Sequence, residues 1–197
     1  MKTLASFVFL CVVAVTALGQ GGPFGFEKGM TQQQVIHLLG KPMSSKGDHL
    51  MFSTAPKPHA GYAVYSLIFS PKEGLLKVVA GGHFIPTDDH GTELRDTFQD
   101  VVEGISRKYG KPRVLLDRCN ASSEVDCEDQ HWMYALKENN RDLSAFWEPQ
   151  SNAGHVSTIL VEAVAVDYSK GALQVSFEFT GWHEYATAQR EKEDQKY

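Results

Sequence analysis

Met30-Thr31-Gln32-Gln33-Gln34-Val35-Ile36-His37-Leu38-Leu39-Gly40-Lys41-Pro42 carries a complete set of helix start and stop signals. Thr31 is a suitable N-cap, and Gln34 stands three residues on, where it can reach back to close a capping box. Met30 and Val35 hold the two positions of a hydrophobic staple. Val35, Ile36, Leu38 and Leu39 form an apolar stripe. Gly40 then supplies a left-handed stop, and Pro42 forbids continuation. The stretch predicts a short helix over residues 31–39. Phe24-Gly25-Phe26-Glu27-Lys28-Gly29 precedes it and is expected to pack as a leader.

The same ending recurs farther along. Tyr109-Gly110-Lys111-Pro112 matches Leu39-Gly40-Lys41-Pro42, and a second helical pattern runs up to it over residues 92–109. Leu94, Phe98, Val101, Val102, Ile105 and Tyr109 fall three or four apart on one face, with charged residues opposite. Part of the match is the shared chemistry of helix termination. Strands are nevertheless expected after both helices, at 49–54, 62–70 and 75–80, then at 113–117, 132–137, 143–147, 157–167 and 173–180. In the last of these, Leu173, Val175, Phe177 and Phe179 alternate with polar residues, the pattern of a sheet buried on one side. Trp182 opens a closing helix, expected to run to residue 193. The fold class read from these elements is α+β, with helices packed on one face of an antiparallel sheet. Two similar helix-then-strands units are expected, at 20–90 and 91–197.

Composition places the chain among ordinary globular proteins, at 42% hydrophobic and 22% charged residues. The formal net charge is −5, without a basic stripe. That disfavours nucleic acid, whose binding relies on clustered Lys and Arg. At the start, Lys2 precedes an apolar run from Leu4 to Leu18, followed by Gly19-Gln20-Gly21-Gly22. This reads as a cleavable export signal over 1–19, cut near Gly19, and places the protein in the periplasm or outside the cell. No later run is long and apolar enough to span a bilayer, so no transmembrane segment is expected in the mature chain. Cys11 lies inside the apolar run and would leave with it. Cys119 and Cys127 remain, an even pair in an exported chain, and are expected to form a disulfide across a short polar loop. Asn120-Ala121-Ser122 also matches a glycosylation acceptor.

Phe26-Glu27-Lys28-Gly29-Met30-Thr31, continuing through Val35 to Leu39-Gly40-Lys41-Pro42, resembles the opening helix of the SmpA/OmlA-type outer-membrane assembly lipoproteins. The doubled unit looks like the tandem-repeat architecture of β-lactamase-inhibitor proteins. The resemblance implies helices on one face of an antiparallel sheet, with the other face free for a protein partner. It also implies a non-enzymatic binding or scaffolding role. The chain departs from the lipoprotein pattern in having no Cys to acylate at the cleavage point.

No nucleophile elbow, zinc helix or phosphate loop is present, and no cofactor is expected. Two clusters are candidates for chemistry. His83-Phe84-Ile85-Pro86-Thr87-Asp88-Asp89-His90 offers His83, Asp88, Asp89 and His90 as a donor set for Zn²⁺ or another divalent ion if the loop folds back. The alternative is a polar connection in which Asp88 or Asp89 caps backbone N–H groups at the helix start. Trp132 and Tyr134, on one predicted strand face, and Trp147, on the next strand, are candidate anchors for a protein partner. Structurally, such residues are most often core residues or cross-strand pairs, and that reading stands ahead of the anchor one. Trp182, His183 and Tyr185 are expected to dock the closing helix onto the sheet.

Overall fold

A computed structural model describes residues 21–120, 127–149 and 155–195. After a 3-10 turn at Pro23–Gly25, the elements run in order: helix α1 (Gln32–Leu39), strands β1 (Ser44–Lys46), β2 (His49–Phe52), β3 (Tyr62–Ser70), β4 (Gly74–Gly82) and β5 (Ile85–Pro86), and helix α2 (Thr92–Tyr109). The chain continues with β6 (Val114–Cys119), α3 (Trp132–Lys137), β7 (Arg141–Trp147), β8 (Val156–Asp167), β9 (Lys170–Phe179) and α4 (Trp182–Asp194). The export signal expected over residues 1–19 lies outside the described residues, as does Ser122 of the glycosylation acceptor. Among the described residues, no helix is long and apolar enough to cross a membrane.

The strands form one nine-stranded sheet in the order β1-β2-β3-β4-β9-β8-β7-β6, with β5 pairing the start of β9. Every pairing is antiparallel. Two four-stranded meanders thus meet at their last strands, β4 and β9, and an α+β fold results. Side-chain alternation gives the sheet two faces. Val175 of β9 stands opposite Ala80 and Val161, and all three are buried in a core shared by both meanders. That core also holds Val35 of α1, Leu94, Phe98 and Val102 of α2, and Trp132 of α3. Three helices therefore lie on the core face.

The helix signals act as expected. The Thr31 hydroxyl accepts from the Gln34 N–H at 3.2 Å, and the Gln34 side chain accepts from the Thr31 N–H at 2.8 Å. Gly40 ends α1 at a φ of 82°. The leader packs as expected, with Phe26 fully buried.

The closing helix behaves differently from the other three. Its half-buried positions are Trp182, Tyr185, Ala186 and Gln189, one stripe of a 3.6-residue period. Lys77, which alternates with core residue Val78, lies with its ammonium 4.8 Å from the centre of the Trp182 ring. The Tyr185 hydroxyl donates to Asp48, ahead of β2. α4 is therefore docked by Trp182 and Tyr185 against the outer face at the first meander. The outer face of the second meander keeps Val164 and Val166 exposed, at 50% and 37%.

Residues 132–137, expected as a strand, form α3. Trp132, Met133, Ala135 and Leu136 are its buried residues, a helical spacing rather than an alternating one. Trp and Tyr favour strands on intrinsic propensity, but here packing of this face against β7 and β8 decides. Asn139, at a φ of 57°, turns the chain out of the helix. Strands β1 and β5 were not expected. β1 is the polar tripeptide Ser44-Ser45-Lys46, and β5 has only two residues, so neither displays a period.

Candidate functional site

Two places gather aromatic and charged side chains on the core side of the molecule. The first surrounds Trp132. Its ring is fully buried, with the guanidiniums of Arg95 and Arg141 at 5.6 Å and 5.8 Å from the ring centre. The indole Nε1 donates to Asp117 at 3.3 Å, and Arg141 donates to the same carboxylate at 2.6 Å. Arg95 pairs with Asp129 at 3.0 Å, and His90 with Asp129 at 3.1 Å. The hydrogen bond from His90, then the charge of Arg95, hold the Asp129 carboxyl below its ordinary pKa. A second Arg141 nitrogen donates to the Cys127 carbonyl at 3.0 Å. Cys127 is joined to Cys119 in the expected disulfide, with Cα atoms 5.6 Å apart. Gly91 completes the cluster: its φ is 69°, and a Cβ there would lie 2.2 Å from the Trp132 ring. This arrangement clamps α2, α3, β6 and β7 together.

The clamp settles the proposed anchors. Trp132 is 0% and Trp147 1% exposed, so both are core residues and not a partner surface. The Trp147 Nε1 donates to the carbonyl of Gly110 at 2.9 Å, closing the end of α2. Tyr134 does reach solvent, at 45% exposure, where it stacks on Tyr168.

The residues of the 83–90 loop disperse into separate local roles. Asp88 accepts from the Thr92 N–H and the Thr92 hydroxyl, each at 2.9 Å, which caps α2 and lowers the Asp88 pKa. His90 serves Asp129 of the clamp, and the Asp89 carbonyl accepts from the Met133 N–H. Among the described residues, no group of three or more His, Cys, Asp or Glu is placed to hold a metal ion.

The second place is a groove of about 790 Å³ where the two meanders meet. Leu173, Val175 and Phe177 of β9 make its floor. One wall is α2, through Val101, Gly104, Ile105 and Tyr109, and the other is the leader, through Phe24, and the start of β3, through Tyr62. His59, His83, Asp100, Arg107 and Lys108 stand around the mouth. The size and the mostly apolar lining with a few polar groups are those of small-ligand sites, which occupy roughly 300–1,000 Å³.

Three features show how the sequence makes this space. α2 carries more apolar surface than the core uses: Phe98 and Val102 are buried, while Val101, Ile105 and Tyr109 are only partly covered. Gly104 sits between them inside an 18-residue helix, where Gly costs about 1 kcal/mol relative to Ala. A Cβ at Gly104 would meet nothing nearer than Arg107, at 3.6 Å, so close packing does not demand glycine there. Its missing side chain leaves the groove open.

Phe24 is the third feature. It holds a left-handed conformation, φ 55° and ψ 21°, which costs a non-glycine residue roughly 1–2 kcal/mol. Edge-to-face contacts with Tyr62 and Tyr65 at 5.1 Å and Phe177 at 5.8 Å offset that cost and fix the ring as an end wall. Burial, then the neighbouring Tyr65, push the Tyr62 hydroxyl up to about 12, so the wall stays neutral. The periodicity of α2 contained Gly104 as an interruption in an otherwise strong helical pattern, and that was the available signal for the groove.

No family model, curated protein or solved structure matches the chain.

Proposed function

We propose that this is an exported, non-enzymatic binding protein that holds an apolar ligand in the groove between α2 and the leader. The single observation that carries this reading is the groove itself: an uncollapsed, aromatic-walled space over β9 that Gly104 and left-handed Phe24 keep in shape at a conformational cost. The apolar run at Leu4–Leu18 supports export, and the resemblance of residues 26–42 to envelope assembly proteins supports a binding role. The test is titration with the neutral fluorophore N-phenyl-1-naphthylamine. Wild-type protein should give saturable one-to-one fluorescence enhancement, and Gly104→Leu, which fills the groove, should abolish it while the circular dichroism melt persists. Enhancement that never saturates, or that Gly104→Leu leaves intact, would overturn the reading.

A second reading keeps the protein partner implied by the resemblance and places it on the outer face of the second meander. Exposed Val164, Val166 and Val114, the last at 40%, favour it, while the contacts of α4 fall on Lys77 and Asp48 of the first meander. Val164→Asp should then release a retained partner without disturbing fluorophore binding.

A further inference from the structure

We infer that the groove takes a single-chain amphiphile ending in a carboxylate, with the chain along α2 and the head at Arg107 and Lys108; this rests on the groove being a ligand site. The shape comes first. Groove residues on α2 run from Thr97 to Tyr109, roughly 18 Å of helix axis, which suits an extended alkyl chain better than a compact ring system.

The ends of that path differ in charge. Asp100 lies toward the Thr97 end, and Arg107 and Lys108 lie at the other. A guanidinium nitrogen of Arg107 stands 3.6 Å from the position a Gly104 Cβ would occupy, so the charge borders the bare stretch of helix. Among the described residues, no carboxylate lies within 4.0 Å of Arg107 or Lys108, whereas Arg95 and Arg141 in the clamp both have one. Lys108 holds its ammonium 5.0 Å from the centre of the Tyr109 ring, at the groove wall. The chain as a whole is acidic, at −5, so two cations without a carboxylate at one end of an apolar groove run against the overall balance. Complementing the helix dipole accounts for basic residues in a last turn. It does not account for Gly104 beside them. An anionic head would be drawn to the Arg107 end and repelled from Asp100, which sets a single orientation for the ligand.

Calorimetric titration with dodecanoate, dodecanol and dodecyltrimethylammonium, each below its micelle concentration, tests the proposal. Dodecanoate should bind at least about tenfold more tightly than dodecanol, and the cation most weakly. Decanoate should bind about tenfold or more weaker than dodecanoate, since each buried methylene contributes through the hydrophobic effect. Arg107→Glu with Lys108→Glu, both on exposed side chains, should erase the preference for dodecanoate over dodecanol. Lys108→Gln should weaken dodecanoate alone, by a smaller factor. Equal binding of dodecanoate and dodecanol, or a preference that survives the double substitution, overturns the carboxylate inference and leaves the groove reading standing. Saturable binding by none of the three overturns both.

Discussion

The clamp around Trp132 and the groove beside Gly104 are built from similar residues and finished in opposite ways. Both put basic side chains of α2 next to an aromatic surface. In the clamp, Arg95 finds Asp117 and Asp129, Arg141 finds Asp117, and Trp132 fills the remaining space. At the groove, Arg107 and Lys108 have no such carboxylate among the described residues, and glycine stands where an aliphatic side chain would have closed the wall. A site whose charges are matched and whose volume is filled holds a fold together. One left open and unmatched is available to a ligand. The lesson is that aromatic and charged content alone does not mark a binding surface; what separates the two places is whether the chain satisfies its own groups.

Substitutions in the two places should therefore differ in sign as well as size. Trp132→Ala should have the largest effect, a loss of roughly 3–5 kcal/mol in urea denaturation, because it empties a fully buried site and removes the partner of two guanidiniums. A cost below about 1 kcal/mol would break the comparison. Arg141→Ala should come next, at roughly 1.5–3 kcal/mol, since Asp117 loses a charge-assisted hydrogen bond and the Cys127 carbonyl loses its donor. At the groove, the folded state holds the Tyr62 proton more tightly than the unfolded chain does. Its contribution is fully present below pH 10 and is lost as the pH rises from 10 toward about 12. Tyr62→Phe should remove a descent on the order of 2 kcal/mol from the alkaline limb of a stability–pH profile. Gly104→Ala should have the smallest effect and the opposite sign, stabilising the fold by about 0.5–1 kcal/mol while weakening ligand binding. A destabilised Gly104→Ala would mean that the glycine serves packing after all.

Legibility from sequence followed the range over which each element is specified. α1 and α2 were readable because caps, stripes and stops lie within a few residues of one another, and the reading of Thr31, Gln34 and Gly40 holds to the hydrogen bond. β3 was readable from its period over nine residues. α3 was not, because six residues beginning Trp132-Met133-Tyr134 fit either period, and the choice is made by distant strands. The disulfide was legible from count and spacing. Core packing was the first reading of Trp147 and burial bears it out, whereas its use as an anchor could not be decided from sequence, because alternation fixes which residues share a face and not which face is covered. The groove arises between leader, α2 and β9, segments far apart in the chain, so its only local trace was a glycine inside a helix.

Methyl-resolved NMR of the folded protein during titration with dodecanol decides whether the groove beside Gly104 is where a ligand sits. Saturable shifts are expected on the methyls of Val101, Ile105, Leu173 and Val175 alone, with Val114, Val164 and Val166 unmoved. Shifts on those outer-face valines with the groove silent would contradict that placement.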